Sequence, residues 1–240
     1  MNTLVSFQEL DALGEELIRE YLKTTHRWNS MSVDIEGFVT EFMQEKIEYV
    51  CFAEDDPNRI GFAGDGVSPL LIQNGNSVTE KIYDEKTIVL DKGLLFSENS
   101  GRRRYTIAHE AAHKILKKHV PLQAVSCFCT AYSNETDYRF SELKRIHSFN
   151  EICANRLGAA LLMPTFLMER VLRKYHDGDH VIIYEGGIFS EKEKLKISRM
   201  TNAMGVSYSA FINRLRELEM LDTVPFEIYM RDKLEVGRER

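Results

Sequence analysis

The stretch Tyr105-Thr106-Ile107-Ala108-His109-Glu110-Ala111-Ala112-His113 decides the reading of this chain. It contains His-Glu-x-x-His. On a helix, residues four apart lie about 6 Å apart along the axis and roughly 40° apart around it. Two imidazoles at that spacing converge on one metal ion, with Zn–N bonds of about 2.0–2.1 Å. Glu110 sits one residue further round, beside the metal rather than facing it. There a carboxylate can take a proton from water that the ion has acidified. The flanks Tyr105, Ile107, Ala108, Ala112, Ile115 and Leu116 suit a helix packed in a core. Arg102, Arg103 and Arg104 read as solvated at its N-terminal side.

A zinc site with an open position needs a third protein ligand. His119 lies where H-E-x-x-H-x-x-G-x-x-H proteins place theirs, but Leu116 stands at the glycine and Lys117-Lys118 continue the helix. On a straight helix His119 is about 15 Å from His109, so it reads as an ordinary helix C-terminal histidine. Glu151 is the stronger candidate. It opens Glu151-Ile152-Cys153-Ala154-Asn155, a carboxylate on a second helix with a polar residue one turn later. That is the gluzincin arrangement, in which Asn155 would hold a ligand histidine through its far nitrogen.

Arg103-Arg104, Ala108 to His113, and the run Glu151-x-x-Ala154-Asn155-Arg156 through Leu161-Leu162-Met163-Pro164 together resemble the ImmA/IrrE family of zinc metallopeptidases. The resemblance spans roughly residues 30–220 and includes Thr87-Ile88-Val89-Leu90, Gly205-Val206-Ser207 and Asn213-Arg214-Leu215. It implies a cytoplasmic zinc endopeptidase with His109, His113 and Glu151 on Zn²⁺ and Glu110 as base. It also implies a protein substrate, a helix-turn-helix repressor. Two departures stand out. The interval from His113 to Glu151 is 151 − 113 = 38 residues, long for the family, and holds Cys127-Phe128-Cys129. Leu157-Gly158 replaces an aromatic-Ala pair, which bears on packing more than on chemistry. A lone C-x-C is weak as a second metal site.

Outward from these motifs, Ser6 and Glu9 form a capping box before a helical stripe of Leu10, Leu13, Leu17 and Tyr21. Ile35, Phe38, Val39 and Phe42 mark a second amphipathic segment. Short apolar runs at 47–52, 60–63, 70–72 and 87–90 read as a small, mostly antiparallel sheet. The run 87–90 is either an interior strand or an edge on which an extended peptide could pair. Helices are expected over 102–118, 150–163 and 165–174, with a 120–149 loop long enough to border the active site. The expected fold is α+β and zincin-like, the sheet packed on the metal-bearing helices. Residues 1–189 form the peptidase domain, 190–224 a helix-turn-helix-like helical pair, and 225–240 a charged tail.

With 31 basic and 37 acidic residues the net charge is −6, and 43% of residues are hydrophobic. That balance excludes a chain built mainly to coat nucleic acid or to remain disordered. No apolar run has the roughly 18 residues a membrane span needs, and the acidic, helical start is no secretory signal. Four unevenly spaced cysteines make no disulfide framework, which fits reducing cytosol.

DNA reading by 194–221 is not expected. Its presumptive recognition helix, 208–218, carries only Arg214 and Arg216, both at the wrong end for base contacts. A metal-binding, DNA-associated regulator without peptidase activity is the alternative, and Glu110 argues against it. A donor to the substrate's carbonyl oxygen is still needed. His147, His180, Tyr184 and Tyr105 are the candidates, and sequence position does not choose among them.

Overall fold

Ser6 accepts a hydrogen bond from the Glu9 amide at 3.2 Å, and Glu9 returns one from the Ser6 amide at 2.8 Å. This closed box starts α1, Phe7–Thr24, which buries Leu10, Ile18, Tyr21 and Leu22. The computed structural model describes residues 6–53, 59–96, 98, 100–119, 128–130, 149–176 and 178–236. Asp34 caps one α-turn, α2 (Ile35–Gly37), which widens into π turns over Phe38–Phe42. The Phe38 and Phe42 rings stack at 5.4 Å, with Tyr21 edge-on to Phe38.

Strands β1 (Lys46–Val50), β2 (Arg59–Ala63), β5 (Thr87–Asp91) and β6 (Phe128–Thr130) form one sheet in the order β1-β5-β2-β6. Between β2 and β5 the chain makes a separate hairpin, β3 (Pro69–Asn74) with β4 (Ser77–Ile82), turned at Gly75. The β5–β2 and β2–β6 pairs are antiparallel, but β1 and β5 run parallel because three strands intervene before the chain returns. The strand at 87–90 is therefore interior, paired on both sides, and offers no free backbone to a peptide. β4 is exposed along its whole length, so no apolar alternation marked it.

The helix that carries the His-Glu-x-x-His motif, α3, runs Ser100–His119. It packs on β2 and β5 and on α4, Phe149–Leu162. Pro164 separates α4 from α5, Thr165–Tyr175. Next come β7 (Val181–Tyr184), α6 (Glu191–Met204) and α7 (Tyr208–Glu217), with Gly205 in the left-handed region closing α6. β8 (Leu221–Val224) pairs parallel to β7. The stretch expected to be a tail carries a further helix, α8, Phe226–Val236.

The helices of 190–224 share one apolar core with α3 and α4. Ile197, Met200, Met204, Phe211 and Leu215 are buried in the same cluster as Ile107, Ala111, Leu157 and Leu161. Nor are all three arginines before the motif solvated. Arg104 donates to the carbonyls of Val33 (2.7 Å) and Met204 (3.4 Å), tying the start of α3 to α2 and α6, and Arg103 pairs with Glu36. No helix of the described residues is long and apolar enough to cross a membrane.

Candidate metal centre

α3 is buried along the face that carries the motif, with Ile107, Ala108, Ala111 and Ala112 fully inside. His109 and His113 emerge one turn apart, and their Nε2 atoms approach to 3.0 Å. Glu151, in the first turn of α4, places Oε2 at 3.3 Å from His109 Nε2 and Oε1 at 3.3 Å from His113 Nε2. These three side chains form a group able to hold a metal ion. Ligands about 2.05 Å from a tetrahedral centre lie about 3.3 Å from one another, close to the spacings seen. Two imidazoles turning ring nitrogens toward each other beside a carboxylate also make the donor set that a divalent cation satisfies.

The electrostatics agree. Burial works to raise the Glu151 carboxyl, but bonds to His109 and His113 outweigh it and hold it well below the usual range. Burial lowers His113, against the pull of Glu151, so its imidazole favours the neutral form that a metal requires. His119 is the last residue of α3, which continues through Leu116 without turning back. The helix therefore carries His119 away from the group.

Glu110 lies under β2, wholly buried, and burial pushes its carboxyl up to about 8, with His109 and Lys114 opposing. The strand can approach because residue 61 is glycine. A Cβ there would lie 2.5 Å from Glu110 Oε1 and 2.6 Å from Thr106 Cγ2. Gly158 serves the opposite side. A Cβ at that position would be 3.2 Å from the His109 backbone, so the glycine lets α4 close on α3 beside His109. Lys114, 5% exposed, donates from Nζ to the carbonyls of Gly64 (2.9 Å) and Glu85 (2.5 Å), fastening β2 and the turn before β5 to α3.

Neither Gly61 nor Lys114 emerged from the sequence as part of the site. The available signals were a glycine inside a strand and a lysine on an apolar helix face. Gly158 shows in the sequence only as a departure from the family's aromatic-Ala pair.

The remaining candidates separate. Asn155 Oδ1 accepts from the Tyr105 hydroxyl at 3.0 Å. The Tyr105 ring lies 6.4 Å from that of His109. Tyr105 has one hydroxyl proton and gives it to Asn155, so it is not presented as a donor to a substrate carbonyl. Tyr184 sits on β7 with its ring 5.0 Å from Tyr229 of α8, and His180 is exposed in the turn before β7. His147 and Cys127 lie outside the described residues. Cys129 pairs with Gly61 through the β2–β6 ladder.

A sheet-backed His-Glu-x-x-His helix with a carboxylate from a second helix defines a centre of the metallopeptidase type. The family model described as the IrrE N-terminal-like domain, a peptidase family, matches residues 81–216. The chain belongs to that family, and its function is of the peptidase, hydrolase class. None of the curated proteins matches the chain.

Proposed function

We propose that this protein is a zinc-dependent endopeptidase that cuts a peptide bond in a partner protein, a helix-turn-helix transcriptional repressor. The observation that carries the reading is the meeting of His109, His113 and Glu151 beside a buried Glu110. The three side chains would hold the ion. Zinc there supplies a Lewis acid for the scissile carbonyl and acidifies water. Glu110 takes the proton from the attacking water and passes it to the leaving amine. Burial deprives its carboxylate of solvation and so strengthens it as a base, while the cation next to it favours the ionised form. Glu151 stays ionised through its two histidine contacts and keeps both rings turned to the same point.

The partner assignment rests on the family resemblance. Loss of one cation from the DNA-reading alternative favours it further, because Arg214 is 1% exposed and lies in the core. Cytoplasmic residence is part of the same proposal, supported by the free thiols Cys51 and Cys153.

The test is incubation of zinc-loaded protein with a candidate repressor, read by mass spectrometry of the products. One discrete cut is expected. Glu110→Gln should keep its zinc and lose about a hundredfold to ten-thousandfold in rate, the range for a general base. An active Glu110→Gln protein removes that residue from the mechanism. A zinc-loaded wild type that cuts nothing favours the regulator.

A further inference from the structure

The seam between α3 and α4 carries two polar layers. One holds His109, His113 and Glu151. The other lies one helical turn away on both helices, since Tyr105 is four residues before His109 and Asn155 four after Glu151. The second layer consists of the Tyr105–Asn155 hydrogen bond, 3.0 Å long and half-buried. Tyr105 thereby touches both sides of the metal group. Its ring lies beside the His109 imidazole, tilted 32° at 6.4 Å, and its hydroxyl grips the helix that bears Glu151.

We propose that Tyr105 is a positioning residue for the metal, setting the distance of Glu151 from the two histidines by tying α4 to α3 through Asn155. This rests on reading the three side chains as metal ligands. The physical case is one of tolerance. Metal sites demand ligand distances within about 0.2 Å, and His109 and His113 share one rigid helix whereas Glu151 arrives on another. A small slide or roll of α4 would move Glu151 alone. The apolar packing that holds α4 on α3, with Gly158 close against the His109 backbone, is non-directional and sets no single orientation of a polar group. A directional bond one turn from the ligand supplies the missing constraint, and its geometry dictates which way each group turns. The Asn155 oxygen faces Tyr105, which fixes the amide plane. The ring of Tyr105 in turn limits rotation of the first histidine.

The experiment measures metal affinity without substrate, by competition with a chelator under conditions where each protein is folded. It also records the visible spectrum of the cobalt(II) form, which reports ligand geometry. Tyr105→Phe keeps the ring and deletes the hydroxyl. It should weaken zinc binding about tenfold, the lower end for groups that orient ligands, and shift the cobalt bands. Asn155→Ala should do the same, and the double variant should be little worse than either single one, because both remove one bond. Tyr105→Leu, which also removes the ring, should lose more than Tyr105→Phe. Unchanged zinc affinity and an unchanged cobalt spectrum in Tyr105→Phe overturn the proposal. So does a purely structural outcome, in which the metal-free protein melts lower but binds zinc as before. A wild type that binds neither ion overturns the metal reading itself. A wild type that binds both but cuts no protein leaves the strut intact and counts only against the peptidase.

Discussion

A carboxyl shut away from water weakens the fold that holds it once it ionises, and Glu110 is such a group. Its folded value, about 8, lies above the ordinary 4.5. Below pH 4.5 both folded and unfolded chains keep the proton, and nothing is lost. Between about 4.5 and 8 the unfolded chain releases the proton while the folded chain holds it, so stability falls as pH rises. The lowered His113 acts the other way up to about pH 6.5 in both proteins, so the difference is the readout: metal-free wild type should lose more melting temperature from pH 5 to pH 8 than metal-free Glu110→Gln. Equal slopes in thermal melts of the two proteins would contradict the burial described. At this scale the helical spacing makes the meeting of His109 with His113 legible in the sequence. The role of Tyr105 was not, because a hydroxyl's partner is decided by where another helix crosses. Lys114 was hidden for the same reason: its acceptors, Gly64 and Glu85, are brought to it only by the folded sheet.

Two glycines set how close the elements come, and they should fail in different ways. Gly61→Ala drives a methyl into the Glu110 carboxyl from the side of β2, away from the metal ligands. It should cost at least about tenfold in peptidase rate while zinc content stays near one per chain, measured by atomic emission. Gly158→Ala presses instead on the backbone of His109. About 1–3 kcal/mol of stability should be lost, as for other over-packed core sites, with weaker zinc binding, read by denaturant titration with and without metal. The apolar runs and capping residues made most elements legible, including α1, β1, β2, β5 and the helices through α7. Three were not. β4 is wholly exposed and lacks apolar alternation, β8 lies at the end of a stretch expected to be a helical pair, and α8 lies where charges suggested a tail. The parallel β1–β5 pairing was also beyond reach, since strand direction depends on the hairpin between them.

Across the whole molecule, distant segments are joined by buried charge. Arg214, 0% exposed at its side chain, donates to Asp11 of α1 at 2.8 Å and to the Met163 carbonyl at the end of α4 at 3.0 Å. Arg156 of α4 shares Asp11, and Glu217 receives both arginines at 3.0 and 3.2 Å. The Leu-Leu-Met-Pro helix end and the Asn-Arg-Leu run, separate motifs in the sequence, are thus one contact: Pro164 ends the helix and Arg214 takes the carbonyl freed there. Asp11→Ala leaves one buried and one partly buried cation with one partly exposed carboxylate. It should destabilise the protein by about 3 kcal/mol, the low end for a broken buried pair because Glu217 remains, measured by urea unfolding. Removing residues 190–240 should abolish cooperative folding, since it strips Arg214 and part of the common core. A truncated chain that melts cooperatively would count against that integration.

The same clamp imposes an order on assembly as the chain leaves the ribosome. Asp11 and Arg214 are 203 residues apart. At about 5–20 residues per second, α1 is made roughly 10–40 s before the arginine that will bury against it. During that wait Asp11 can meet Arg156 once α4 is made, 145 residues after it, but its fully buried partner is still missing. The fold can lock only when its late portion reaches back to its early one. Nascent chains are therefore most open to chaperones, and most prone to aggregate, until α7 has emerged.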